Sequence, residues 1–125
     1  MLVDTSVWVE HLRRRDATLV QLLEHARVWT HSFVIGELAC GNLAQRGKLL
    51  LSLAALPHVP AVAHEDVLAF VEARRLMGRG LGWIDMHLLA AATLARIPFW
   101  TKDRRLAAVA RESGLAPADT GRAAT

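Results

Sequence analysis

The chain begins Met1-Leu2-Val3-Asp4-Thr5-Ser6-Val7-Trp8, and this stretch decides the fold that the remaining sequence extends. Three apolar residues predict a short buried strand, and an acid follows it at once. Val7, Trp8 and His11 then recur at helical spacing, so we predict a helix that takes Thr5-Ser6 as its N-cap. A buried strand that leads directly into a helix is typical of α/β proteins.

The same alternation of short apolar runs and helical patterns continues along the chain. Further strands are predicted at 27–30, 59–63 and 97–101, with an additional edge strand at 115–117. Further helices are predicted at 19–26, 32–41, 48–56, 64–77, 83–95 and 103–112. Such an order favours an α/β sandwich around a parallel sheet.

Size and composition limit the class of protein. With 125 residues, 53% of them hydrophobic, and no polar linker, the chain fits a single domain over residues 1–120 and a flexible tail at 121–125. A single cysteine excludes an internal disulfide and a cysteine-based zinc cluster, which fits a reducing cytoplasm. The start lacks the pattern of a signal peptide, and no apolar run approaches the ~20 residues of a membrane-spanning helix. We therefore expect a cytoplasmic protein that does not enter the membrane.

Basic residues are grouped along the chain. The formal charge is only +3, but fifteen Lys and Arg give a pI near 10.0, which makes a polyanionic partner plausible. Lys102, Arg104 and Arg105 surround Asp103, so this group is the one closest to the acids discussed next. The alternative is that each basic group is a solvated helix end.

Four carboxylates adjoin apolar segments, where an unpaired charge is costly to desolvate. Asp4 and Asp103 follow predicted strands, Asp85 lies in the first turn of an apolar helix, and Glu37 lies at the edge of another apolar helix face. Because ligands bind beyond the carboxyl ends of parallel strands, we predict that all four acids converge there around a divalent cation.

Mg²⁺ or Mn²⁺ is the predicted cation, because both prefer carboxylate and water oxygens. A hydrated ion of this kind suits phosphodiester hydrolysis, since it acidifies water and neutralises transition-state charge. Thr5 and Ser6 can hydrogen-bond an acid or a phosphate, or can cap a helix. Each acid also has a structural alternative: N-cap for Asp4 and Asp103, helix-dipole partner for Asp85, and partly exposed helix residue for Glu37.

Four segments of the sequence together resemble the PIN-domain family, and more narrowly the VapC-type ribonuclease toxins of bacterial toxin–antitoxin pairs. They are Val3-Asp4-Thr5-Ser6-Val7-Trp8, Glu37-Leu38-Ala39-Cys40-Gly41, Trp83-Ile84-Asp85, and Trp100-Thr101-Lys102-Asp103-Arg104-Arg105-Leu106. Each segment is weak alone, but their order within one chain of this length is specific. The resemblance covers nearly the whole chain.

The resemblance implies a three-layer α/β/α fold, Mg²⁺- or Mn²⁺-dependent endoribonuclease activity, a homodimer, and inhibition by a small cognate antitoxin. It assigns Asp4, Glu37, Asp85 and Asp103 to the acidic metal site, and Thr5 or Ser6 to the hydroxyl position beside the first acid. In our leading hypothesis Lys102, Arg104 or Arg105 seats the RNA backbone. Arg104 and Arg105 stand where some relatives carry a further acid, so one firmly held metal is expected rather than two.

Two other functions compete with a nuclease. A non-catalytic RNA- or antitoxin-binding module of the same fold would not need all four acids. A receiver domain or an aspartate-nucleophile phosphatase would also place an Asp after a strand, but Thr5 and Ser6 follow Asp4 where those proteins carry a second acid. Tryptophans 8, 83 and 100 can stack on bases, although most are expected in the core.

Overall fold

The computed structural model describes residues 1–117 of the chain. Nine elements follow one another in this part. They are β1 (Leu2–Val3), α1 (Thr5–Arg13), α2 (Ala17–Glu24), α3 (Ser32–Ala39), α4 (Arg46–Ala54), α5 (His64–Arg74), α6 (Trp83–Ala95), β2 (Phe99–Trp100) and α7 (Arg104–Glu112). All seven predicted helices are present, with ends that shift by a few residues.

The sheet is short and parallel. β1 pairs with β2 in the register Leu2 to Phe99 and Val3 to Trp100. On the other side of β1, Leu2 forms a single parallel bridge with Trp29, and Thr30 forms another with His58. The carboxyl ends of β1 and β2 therefore lie side by side, as the sequence predicts.

Several predicted strands are shorter than expected or absent. Segment 27–30 contributes only two isolated bridges, and the strand predicted at 59–63 is wrong, because the ladder there ends with the bond from Val59 N–H to the Thr30 carbonyl at 2.8 Å. The neighbouring segment turns into α3 at Ser32, so the ladder stops at Val59. The edge strand predicted at 115–117 is reduced to one bond, in which Phe99 N–H donates to the Leu115 carbonyl at 2.8 Å.

One hydrophobic cluster runs through the described residues and fixes the layers of the fold. β1 is fully buried, and α6 is buried on every side over residues 86–92, so it can only lie in the interior. α1 packs against α3, α3 against α4, and α5 against α6. The predicted three-layer α/β/α sandwich is confirmed. The predicted boundary at residue 120 and the tail at 121–125 lie outside the described residues.

Among residues 1–117, no helix is both long and apolar enough to cross a membrane.

Candidate active site

Asp4 is the buried centre of the candidate site. It follows β1 directly and is only 6% exposed. It occupies the N-cap position of α1, so the prediction that Thr5-Ser6 caps this helix is wrong, yet its side chain makes no capping bond. Instead, Oδ2 accepts hydrogen bonds from Ser6 Oγ at 2.7 Å and Thr101 Oγ1 at 2.8 Å. The carboxylate is thus held in place by hydroxyls and does not cap the start of α1.

The same two hydroxyls join the segment after β2 to the segment after β1. Lys102 N–H donates to Ser6 Oγ at 2.9 Å, and Asp103 N–H donates to Thr101 Oγ1 at 3.1 Å. No role was predicted for Thr101 from the sequence. Its position could have indicated one: Thr101 directly follows β2 as Asp4 directly follows β1, so the two side chains meet at neighbouring strand ends.

Asp85 lies in the first turn of α6 and is half-buried. Its Oδ2 accepts the backbone N–H of Gly82 at 2.9 Å, a bond that favours the ionised form and also closes the start of the helix. The pKa of Asp85 is nevertheless raised, first by burial and further by the negative charges of Asp4 and Asp103. These three acids therefore share one negative electrostatic environment.

Asp103 and Glu37 are more exposed members of the group. Asp103 Oδ1 accepts the backbone N–H of Leu106 at 2.9 Å, so the alternative role of Asp103 as N-cap of α7 is confirmed. Glu37, in the last turn of α3, accepts a hydrogen bond from Thr5 Oγ1 at 2.6 Å. Because Thr5 adjoins Asp4, this bond draws Glu37 toward the buried carboxylate. Both hydroxyls predicted from the sequence, those of Thr5 and Ser6, thus hydrogen-bond to acids.

The four acids do not form a closed cage for an ion. Among residues 1–117, no group of three or more metal-ligating side chains lies close enough to share a metal. The donors nevertheless fit a hard cation, since every one is a carboxylate oxygen. Burial and, after it, repulsion by Asp4 and Asp103 raise the pKa of Asp85, and a bound cation would relieve that repulsion. The placement of all four acids as ligands stays a prediction.

Basic side chains border the site along the start of α7. A cleft of about 490 Å³ is lined by Thr101, Lys102, Arg104, Ala107, Ala108 and Arg111. Thr101 belongs both to this cleft and to the hydrogen bonds around Asp4, so the basic surface reaches the acids. Lys102 also pairs with Asp16, Nζ to Oδ2 at 3.3 Å, and lies over the Trp100 ring.

Arg105, unlike Arg104, is not among the residues that line this cleft. Its guanidinium lies against the backbone of Gly80, where a Cβ would come within 2.5 Å of Arg105 Nη1. In the same loop Arg79 forms a bidentate ion pair with Glu112, with both N···O distances at 2.7 Å. α7 thus holds the loop that leads to Asp85. Arg105, predicted to bind substrate, contacts protein in this structure.

Comparison with known proteins is consistent with this geometry. The PIN-domain profile matches residues 1–112, which contain both strands and all four acids. The chain belongs to the PIN-domain family. Ribonuclease VapC32 of Mycobacterium tuberculosis, in strains CDC 1551 / Oshkosh and ATCC 25618 / H37Rv, is 50% identical over 122 residues, which cover 95% of this chain and 97% of the relative. The predicted resemblance to VapC-type PIN domains is confirmed.

Proposed function

We propose that this PIN domain is an endoribonuclease that hydrolyses RNA phosphodiester bonds as the toxin of a toxin–antitoxin pair. The observation that carries the proposal is that Asp4 and Asp103, which follow the paired strands β1 and β2, share one negative environment with Asp85 at the start of α6. A cluster of repelling acids at this edge, beside a basic cleft, is suited to a cation and a phosphate backbone. The 50% identity to a protein named Ribonuclease VapC32 supports the same conclusion.

Asp4, Glu37, Asp85 and Asp103 would hold a Mg²⁺ ion, or Mn²⁺ in its place. When bound, such an ion supplies charge neutralisation at the phosphate and makes water a stronger nucleophile near neutral pH. No side-chain nucleophile is then required. Ser6 and Thr101 fix the orientation of the Asp4 carboxylate, and Thr5 does so for Glu37. Such hydroxyls act as positioning residues for the acids.

The basic cleft would bind the RNA backbone. Lys102, Arg104 and Arg111 line it together with Thr101, which donates a hydrogen bond to Asp4. A phosphate seated there approaches the acids without a base-specific contact, because phosphate contacts position a nucleic acid but do not read its sequence. Products are expected to carry a 5′-phosphate and a 3′-hydroxyl.

A toxin of this kind would work in the cytoplasm, form a homodimer, and be inhibited by a small cognate antitoxin. The alternative, a non-catalytic RNA- or antitoxin-binding module, shares the fold and the basic cleft. It gives no reason for hydroxyls to orient a buried Asp4. The energetic cost of placing repelling acids together favours the nuclease.

Cleavage of total RNA by Asp4→Asn and Asp85→Asn variants tests the proposal. Both substitutions keep side-chain size, so we expect folded proteins that have lost cleavage. Asp66→Asn is the matched control, because Asp66 also lies in the first turn of a helix, α5, but is exposed and remote in sequence from the acids. Wild-type protein in excess EDTA should be equally inactive. Full cleavage by either site variant, or in EDTA, contradicts the assignment.

A further inference from the structure

A row of aromatic and histidine rings, partly buried, runs from the start of α3 across α6 to the start of α5. Along it, ring centroids lie 5.2 Å apart for His31 and Phe33, 4.8 Å for Phe33 and His87, 4.7 Å for His87 and Trp83, and 5.0 Å for Trp83 and His64. We call these five residues the aromatic row. Its members come from α3, from the residue that caps the start of α3 (His31), from α5 and from α6, so only the fold brings them together.

The two aromatic side chains of the row, Phe33 and Trp83, are open to solvent, and so is the His64 imidazole at its end. Phe33 is 37% exposed and Trp83 is 39% exposed, whereas Trp8 and Trp100 are almost fully buried at 4% and 3%. Trp83 is thus the tryptophan left free to stack on a base, out of the three considered from the sequence. The rings of Phe33 and Trp83 both stand edge-on to the buried His87, at interplanar angles of 67° and 88°. His87 therefore holds both rings in fixed orientations.

Two glycines next to these rings leave open space beside them. Gly36 follows Phe33 by three residues on α3, and a Cβ built on it would meet no atom within 4 Å. Gly82 precedes Trp83, and a Cβ there would approach only the Asp85 carboxylate, at 3.7 Å. Small residues next to exposed rings leave room for a planar group to lie on them.

The aromatic row adjoins the candidate active site on two helices. Phe33 lies one turn before Glu37, on the same face of α3. Trp83 begins α6 two residues before Asp85. A nucleotide whose phosphate reached the acids would therefore have its base, or that of its neighbour, within reach of the rings. Buried His87 Nδ1 has no hydrogen-bond partner within residues 1–117, so a polar group in the row also remains unsatisfied.

We propose that Phe33 and Trp83 form a stacking platform for nucleobases of single-stranded RNA next to the bond that is cut. This inference rests on the proposed function and adds two base-contacting residues, Phe33 and Trp83, to the candidate site. Stacking requires a base with an exposed face, which a paired base inside a helix lacks. It tolerates any base, so the platform selects unpaired structure more than sequence.

A protein partner is the competing occupant of the same rings. Ser32, Gly36 and Glu37 lie within four residues of Phe33 along α3, and Gly82 and Asp85 lie within two residues of Trp83 at the start of α6. A surface in which two separate rings stand among small and acidic residues lacks the continuous apolar area of a protein interface. Planar bases linked by a flexible backbone match it better.

Binding of short RNA in EDTA, which prevents cleavage, tests the inference. The probes are a fluorescent 12-nucleotide oligouridylate and an oligonucleotide of equal length and charge in which the central bases are replaced by abasic residues. Wild-type protein should bind the oligouridylate about tenfold more tightly, because the stacking of one base contributes roughly that factor. Phe33→Ala and Trp83→Ala should each lose about this factor on oligouridylate and lose nothing on the abasic probe.

Two variants serve as controls. Trp83→Phe keeps a planar ring and should retain most of the affinity for oligouridylate. Leu94→Ala removes a 71%-exposed apolar side chain from α6 and should change neither affinity. Thermal unfolding and size-exclusion chromatography accompany each variant.

Equal wild-type affinity for the two probes would overturn the inference, as would unchanged binding by both alanine variants. A Trp83→Ala variant that loses affinity only because its oligomeric state changes would also overturn it, and would assign the row to a protein contact. RNA cleavage is measured separately with the Asp4 and Asp85 variants. Loss of the platform therefore leaves the nuclease proposal standing, and absence of cleavage does not alter this binding result.

Discussion

Thr101→Val tests whether the hydroxyl that hydrogen-bonds to Asp4 is needed for stability and activity, while it leaves all four acids in place. Valine has nearly the shape of threonine but no hydroxyl, and Thr101 is only 8% exposed. The substitution removes the 2.8 Å hydrogen bond to Asp4 Oδ2 and leaves Asp103 N–H without its acceptor. Asp4 keeps only the bond from Ser6 Oγ.

The size of the effect follows from these contacts. A hydrogen bond to a charged group contributes about 1.5–3 kcal/mol, and Asp4 is too buried for water to replace the lost donor fully. We expect the free energy of unfolding of the metal-free protein to fall by about 2 kcal/mol. For a domain of this size, such a loss lowers Tm by roughly 6–10 °C. Loss of a group that orients a ligand also typically lowers metal affinity or activity about 10- to 100-fold.

Urea unfolding and RNA cleavage on the same preparations measure both effects. Thr93→Val is the matched control, because its hydroxyl bonds only the Leu89 carbonyl within α6, a bond of little consequence for the fold. Thr101→Ser keeps the hydroxyl and should restore most of the activity. If Thr101→Val were as stable and as active as Thr93→Val, the hydroxyl would not support Asp4, and our account of the site would be wrong.

Four further outcomes are expected. The pKa of Asp85 is raised above its ordinary value of 3.8, so the folded state binds this proton more tightly than the unfolded state. The metal-free protein should therefore lose stability as the pH rises from below 3.8 through the raised native value. Urea unfolding of Asp85→Asn should show a weaker dependence of stability on pH over the same range. Gly80→Ala, at φ +81° and against Arg105, should lower Tm and cleavage together, and Arg105→Ala in the same chain should recover part of the loss. Arg104→Ala should weaken RNA binding at all sequences and reduce by about one the slope of log affinity against log salt. Added Mg²⁺ should raise the Tm of wild-type protein but not that of Asp4→Asn, as measured by thermal unfolding.

The helices and the position of the acids could be predicted from local pattern alone. Apolar periodicity locates α6 and α7, and a strand followed by an acid marks Asp4 in the sequence. The strands were harder to predict, because the length of a ladder depends on the partner backbone. The ladder ends at Val59 because the neighbouring segment turns into α3 at Ser32, which the apolar run at 59–63 does not reveal.

Contacts between distant segments were the part that the sequence did not reveal. The hydroxyl of Thr101 lies 97 residues from Asp4, and the rings of Phe33 and Trp83 meet only through His87. Neither arrangement has a periodic signal, since each depends on how helices pack onto the sheet. Arg105 shows the converse: its charge predicted a substrate contact, whereas its length lets it lie on Gly80.

The most direct test of the account is a crystal structure of the wild-type protein grown with Mn²⁺, in which anomalous scattering locates the ion. We predict one strong anomalous peak coordinated by carboxylate oxygens of Asp4 and Asp85, with Glu37 and Asp103 turned toward it. A peak elsewhere, or an active protein whose four acids bind no ion, would contradict the central claim.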